Sequence, residues 1–265
     1  MPDDRQHPVE SPFDARSTAA EVAAAANLKG RTVVVTGGYS GIGLETTRAL
    51  EAAGARVIVT VRSPEKAQDA LSGLTVETVA LDLSEPESIE TGARALRDLT
   101  ADGIDILINN AGTAGEKSWN PQDDKQSIGS IDYNQWRWIM EVNLLGAMRM
   151  TEALAENVAA SERKLVAMIS SGLASIEHNT MGGSHLYRTS KAALNMLAKG
   201  VAIDLAGRGV TTIALSPGWT QTDMGGPDAH HTTEESVTKQ REVIARLTPA
   251  DNGKFYDLMG AEVPW

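Results

Sequence analysis

Short runs of β-branched and aliphatic residues recur along the chain, at Thr32 to Val35, Val57 to Val61, Val76 to Leu81, Ile104 to Ile108, Leu165 to Ile169 and Thr211 to Leu215. They are near-continuously apolar rather than alternating, the pattern of parallel strands covered on both faces. Longer segments of helical character separate them and are long enough to serve as crossover helices. This predicts an α/β fold, a doubly wound parallel sheet with helices on both faces. A seventh short run, Lys254 to Leu258, is placed at one edge.

Tyr133 to Asn157 and His185 to Ala206 read as the two longest helices. Their apolar faces exceed what one sheet face needs; packing between subunits and core packing within one subunit both account for that. Residues 1–27 read as a polar extension with Pro2, Pro8 and Pro12 and an alanine-rich stretch from Ser17 to Ala26. A frayed tail is the expectation, an arm across a partner subunit the alternative. Residues 28–265 then form one catalytic domain, a size that single α/β domains commonly reach.

Composition narrows the chemistry. The 265 residues carry a formal net charge of −11 with the acidic groups dispersed, which argues against a duplex nucleic-acid partner, since that requires a clustered basic face. The absence of cysteine removes disulfides, thiolate metal sites and a cysteine nucleophile. Met1 to Glu10 has no basic segment followed by an apolar one, and no apolar run approaches the ~20 residues of a membrane span. A cytoplasmic protein with no membrane partner is the expectation.

The first strand runs into Thr36-Gly37-Gly38-Tyr39-Ser40-Gly41-Ile42-Gly43 and then a helix. Glycines at 37, 41 and 43 permit a tight turn and bring backbone N–H groups up to a pyrophosphate at a helix N-terminus. Tyr39, Ser40 and Ile42 complete the proposed contact. A dinucleotide site usually has an acid at the end of the second strand, but none occurs here before Glu65, and Arg62 takes that place. A guanidinium there suits a 2′-phosphate, so NADP is favoured with NAD as the alternative. Asp82 and Leu83, after the third strand, are placed beside the adenine. Asn109, Ala111 and Gly112, at the end of the fourth, are placed beside the cofactor ribose.

Tyr187 and Lys191 lie four residues apart in a helix and therefore share a face. A phenol acting as a base near neutrality must drop by about 3 units from its usual value near 10, which positive charges from Lys191 and an oxidised nicotinamide would favour. In reduction the same phenol returns its proton to the developing alkoxide. Ser171, at the carboxyl end of the fifth strand, is chosen to hydrogen-bond the substrate oxygen, with Ser170 competing. Asn143, a polar residue within an apolar helical stretch, is assigned to hold a water behind Lys191; a merely satisfied buried amide is the alternative.

With these motifs in this order, the chain from about residue 28 to 260 resembles the classical short-chain dehydrogenase/reductase family. The resemblance implies a Rossmann-type sheet of about seven strands, Asn143, Ser171, Tyr187 and Lys191 as catalytic residues, and a homodimer or homotetramer. It also places Pro217, Gly218, Thr220 and Thr222 beside the nicotinamide carboxamide or the phosphates. Asn179 to Gly183, Tyr187 to Met196, Asp223 to Gly226 and Pro264-Trp265 look like sniffer-type and C-factor-type carbonyl reductases, whereas Gly37 to Ala55 looks closer to retinol-dehydrogenase-like members. Ser171 precedes Tyr187 by more residues than in many relatives, which puts an insertion in the loop from Gly172 to Ser184.

Three segments are expected to face the substrate as mobile covers: Thr113 to Asp132 with Trp119, Gly172 to His185, and Trp219 to Arg241 with Met224, His230 and His231. Trp119 and Trp219 either wall the pocket or pack their loops. The adjacent histidines read as exposed side chains, and no metal site is expected. The function read from these features is hydride exchange between NADP or NAD and a small carbonyl compound or secondary alcohol. A cofactor-sensing signalling protein with little turnover is the alternative. Sugar-nucleotide epimerisation ranks last, because only a short cover follows Thr222.

Overall fold

The structure, a computed structural model, describes residues 28–115 and 126–265. Seven strands form one parallel sheet: β1 Thr32–Thr36, β2 Arg56–Val61, β3 Glu77–Ala80, β4 Ile106–Asn109, β5 Leu165–Ile169, β6 Thr211–Leu215 and β7 Phe255–Tyr256. Their order is β3-β2-β1-β4-β5-β6-β7. Chain direction across the sheet reverses between β1 and β4, so a crevice opens at the carboxyl ends of those strands. The helices are α1 Gly41–Ala52, α2 Pro64–Ala70, α3 Pro86–Leu99, α4 Tyr133–Met140, α5 Ala147–Ala160, α6 His185–Asp204 and α7 Thr233–Arg246.

The near-continuous apolar runs are explained by two cores, one on each sheet face. Val33, Val35, Val57, Val59, Ile106 and Ile108 point toward α1, α2 and α7, where Leu50, Ala67 and Val243 cover them. Val34, Ile58, Leu107, Val166 and Met168 point the other way, toward Ile89 and Leu96 of α3, Met150 and Leu154 of α5 and Leu194 of α6. Because nearly every position of β1, β2, β4, β5 and β6 is covered on one face or the other, alternation is absent there, whereas the edge strand β3 buries only Val79.

Besides shifts of one or two residues at other element ends, four boundaries differ from the sequence reading in ways that matter for the site or the sheet. β4 starts at Ile106 because the Asp105 carboxylate accepts from Thr32 N at 3.0 Å and Arg31 Nη1 at 2.9 Å, a polar clasp below the sheet. The long helix read from Tyr133 to Asn157 is interrupted: Glu141–Gly146 is a π-helical segment between α4 and α5. The cover read as Trp219 to Arg241 ends sooner. Thr232 and Glu235 form a capping box, and from Thr233 the chain is α7, which packs on α1. β7 is only two residues long. The expectations for residues 1–27 and Trp119 fall outside the described residues, among which no helix is long and apolar enough to cross a membrane.

Candidate active site

The turn between β1 and α1 is dictated by space. Gly37 has φ +64, and a Cβ on Gly43 would lie 2.4 Å from the Gly37 carbonyl oxygen and 2.5 Å from Asn110 Nδ2. Ser40 starts α1 without a side-chain cap bond, so the first-turn N–H groups are left for an anion rather than satisfied by a hydroxyl. β4 is stapled to this turn. Thr36 Oγ1 accepts from the backbone N–H of both Asn110 and Ala111 at 3.0 Å, and Asn110 Nδ2 donates to the Thr36 carbonyl at 2.9 Å.

A cleft of about 480 Å³ runs across the carboxyl edge of the sheet. Of the residues read as cofactor contacts, Gly37, Tyr39, Ser40, Gly41, Ile42, Gly43, Arg62, Asp82, Leu83, Ala111, Gly112, Tyr187, Lys191, Pro217 and Thr222 line it. Asn109 does not. Its amide nitrogen donates to Thr151 Oγ1 at 2.9 Å inside the core, and the neighbouring Asn110 is the residue on the cleft wall. Gly218 and Thr220 shape the loop from behind: Gly218 has φ +73, and Thr220 is buried with its hydroxyl donating to the Pro217 carbonyl at 3.1 Å.

The sequence reading missed Thr60, Leu81, Trp138, Val142 and Ile169 on the cleft wall, chose Asn109 over Asn110 as the contact, and named Ser170 only as the competitor of Ser171; Thr113, Gly115, Asp223 and Met224, which also line the cleft, lie in segments it expected to face the substrate. Trp138 and Val142, four apart, carried a legible signal as one apolar helix face. Trp219 is not among the lining residues. It is 40% exposed, its Nε1 donates to the Gly225 carbonyl at 2.7 Å, and its ring meets His230 edge-on at 4.9 Å, so it packs its own loop. Among the described residues no three His, Asp or Glu side chains are grouped as a metal site.

The two serines have different partners. Ser170 lines the cleft, is buried and donates from Oγ to Asn195 Oδ1 at 2.6 Å, whereas Ser171, which is not among the lining residues, is hydrogen-bonded to the Tyr187 phenol and also accepts from Leu173 N at 3.2 Å. Tyr187 and Lys191 share a face of α6, with Lys191 Nζ 5.9 Å from the centre of the Tyr187 ring and donating to the Ile169 carbonyl at 2.8 Å. Burial pushes the phenol up from its usual value, and the bond from Ser171 pulls it partly back. The lowering expected from sequence drew on an oxidised nicotinamide as well as Lys191; in the chain itself burial is the largest cause, and its direction is upward. Burial also lowers the Lys191 ammonium to about 8.

Asn143 sits in the π-helical segment with both amide hydrogens committed, to the Thr113 carbonyl at 2.8 Å and Ser190 Oγ at 3.0 Å. Its Oδ1 accepts from Thr113 N at 2.8 Å and keeps one lone pair. Gly112 leaves the adjoining space open. A Cβ there would lie 3.2 Å from Lys191 Nζ and 3.3 Å from Asn143 Oδ1, so the glycine keeps a recess over these two polar groups.

The loop after Ser171 is tied to the tail of the chain. Ile176 and Glu177 both donate their N–H groups to the main-chain oxygen of Trp265 at 3.1 Å, Ser175 Oγ donates to the Pro264 carbonyl at 2.7 Å, and the Trp265 ring stacks on Phe255 at 5.8 Å. A segment expected to be mobile is thus anchored to β7.

Comparison with known proteins agrees with this geometry. A family model described as short chain dehydrogenase matches residues 31–233. The C-signal protein of Myxococcus xanthus is 41% identical over 162 residues, covering 61% of this chain and 93% of its own length. Among solved structures, the carbonyl reductase Sniffer of D. melanogaster superposes with a TM-score of 0.79 at 25% identity, covering 89% of this chain and 100% of that one. NADPH-bound carbonyl reductase from chicken fatty liver superposes equally, with a TM-score of 0.79 at 28% identity over 90% of this chain and 100% of that one. With its matched model, its strand order and its crevice at the β1/β4 reversal, the chain belongs to the short-chain dehydrogenase family of oxidoreductases.

Proposed function

We propose that the protein reduces a small ketone or aldehyde with NADPH, with Tyr187 as the proton donor. The observation that carries this reading is the half-buried Tyr187 phenol, hydrogen-bonded to Ser171 and one helical turn from Lys191, on the wall of a cleft that begins at an uncapped helix N-terminus. Burial keeps the phenol protonated at neutral pH, which is the state a general acid needs.

The residues present fit a nicotinamide dinucleotide. The N–H groups of Ser40 to Gly43 suit the pyrophosphate, Arg62 and Tyr39 a 2′-phosphate, and Asp82 and Leu83 the adenine. Lys191 suits the ribose hydroxyls in the recess over Gly112, and Pro217 and Thr222 the carboxamide. NADPH, when bound, supplies the hydride. Tyr187 delivers its proton to the carbonyl oxygen, and the Ser171 hydroxyl holds that oxygen in place. The Lys191 ammonium stabilises the phenolate left behind, and the remaining lone pair of Asn143 can hold the water that returns a proton to the site. Carbonyl reductases among the solved structures and the NADPH bound to one of them support the substrate class and the cofactor. A homodimer or homotetramer completes the reading.

A steady-state panel of ketones, aldehydes and alcohols, run with NADPH and NADH side by side, tests it. At least one carbonyl compound is expected to consume NADPH, with a preference over NADH of about tenfold or more. Tight NADPH binding with no turnover across the panel would replace this reading by the signalling one.

A further inference from the structure

Gln126 follows no motif, yet its side chain is 4% exposed although Ser127, Ile128, Gly129 and Ser130 after it are all exposed. A buried amide costs free energy unless its donors and acceptors are used. Here they are used on functional segments. Gln126 Nε2 donates to the Ala114 carbonyl at 2.9 Å, and Gln126 Oε1 accepts from the backbone N–H of Tyr187 at 3.4 Å, a long bond.

The second contact answers a need of α6. Ser184 precedes the helix with φ +46 and makes no side-chain cap bond, and the first intrahelical bond runs from Arg188 N to the Ser184 carbonyl. The N–H of Tyr187, in the first turn, has no partner within its helix. Gln126 supplies one from another segment.

These bonds close a circuit. From Tyr187 N it passes through Gln126 to Ala114, along the chain to Thr113, through the paired bonds of Thr113 with Asn143, from Asn143 Nδ2 to Ser190 Oγ, and from Ser190 Oγ back to the Tyr187 carbonyl at 2.8 Å. Both main-chain polar groups of Tyr187 are therefore tied to the segment that lines the cleft at Thr113 and Gly115. We infer that Gln126 is a positioning residue for Tyr187, which sets the phenol against the cleft by joining residues 113–115 to the first turn of α6. The inference rests on Tyr187 being the proton donor.

Gln126→Met preserves length and apolar packing while removing both bonds, and Gln126→Glu keeps the acceptor facing Tyr187. For Gln126→Met, amide hydrogen exchange across residues 185–190 should quicken about tenfold and kcat should fall about tenfold, while NADPH affinity stays within about twofold. In Gln126→Glu the second oxygen can donate to the Ala114 carbonyl only when protonated, so kcat relative to the unmutated protein should recover as pH falls. Unchanged exchange overturns the inference. So does faster exchange with kcat intact, which would leave Gln126 a purely structural cap. A protein that reduces no carbonyl compound, or a Tyr187→Phe variant that keeps its turnover, overturns the proposed reaction instead, and the exchange measurement still decides whether Gln126 holds the helix start.

Discussion

The two ends of the cleft are built differently. At the phosphate end, residues 37–43, Asn110 and Ala111 are held by backbone geometry and strand-end bonds, with a Gly43 Cβ allowed only 2.4 Å from the Gly37 carbonyl oxygen. At the substrate end, Tyr187, Ser171 and the loops around them are held by side chains and tails from distant parts of the chain: Gln126, Asn143 and Pro264-Trp265. A backbone-built site tolerates few substitutions and serves one ligand. A side-chain clasp can be exchanged piece by piece, which allows the substrate to change while cofactor binding is kept.

The largest effect on cofactor affinity should come at the rigid end. Gly43→Ala puts a methyl group against backbone, and NADPH affinity measured by titration should fall at least about a hundredfold, roughly 3 kcal/mol; a loss under threefold would mean the turn is softer than its spacing implies. Arg62→Ser should lower the NADPH over NADH preference about tenfold or more in kcat/KM without harming NADH turnover, since Arg62 lines the cleft where an acid is missing.

Lys191→Met should abolish turnover yet raise stability. The ammonium stands at about 8 in the folded protein against roughly 10.4 unfolded, so the native state resists the proton, and at pH 7 this costs roughly 2 to 3 kcal/mol that disappears as pH rises from about 8 to 10.4. Chemical denaturation at pH 7 and pH 10 should show the variant's advantage at the lower pH only. The same titration predicts that reduction falls above about pH 8 as Lys191 loses its charge; a rate that rises there would contradict the assignment. The smallest effect belongs to the tail: Trp265→Ala should raise KM about threefold with kcat nearly unchanged, because losing the ring stacked on Phe255 loosens the main-chain oxygens that hold the 175–178 loop and leaves the Tyr187 circuit intact.

Legibility in the sequence followed this division. Strands were visible because both sheet faces are covered, so Val33 to Val35 and Leu165 to Ile169 are apolar at every position. The glycine turn and the Tyr187/Lys191 pair were visible because their chemistry depends on residues near in sequence. The π-helical segment was not, since it depends on the bonds of Asn143 to Thr113 and on Gly146 packing where a Cβ would lie 2.8 Å from Leu83 Cβ, contacts between distant residues. Asn109 and Asn110 exchanged roles because the strand ends one residue later than the apolar run suggests, which turns Asn109 inward. Thr232 and Glu235 did signal the start of α7, and reading that capping box would have shortened the proposed cover. Gln126 offers no local signal at all, because its role exists only once three segments have folded together.

The most direct measurement is single-turnover reduction by Tyr187→Phe beside NADPH affinity in the same variant, using whichever carbonyl compound the panel identifies. Loss of the phenolic proton should slow reduction by about a thousandfold or more while NADPH binds within about twofold of the unmutated protein. Reduction at an undiminished rate would contradict the assignment of Tyr187 as the acid.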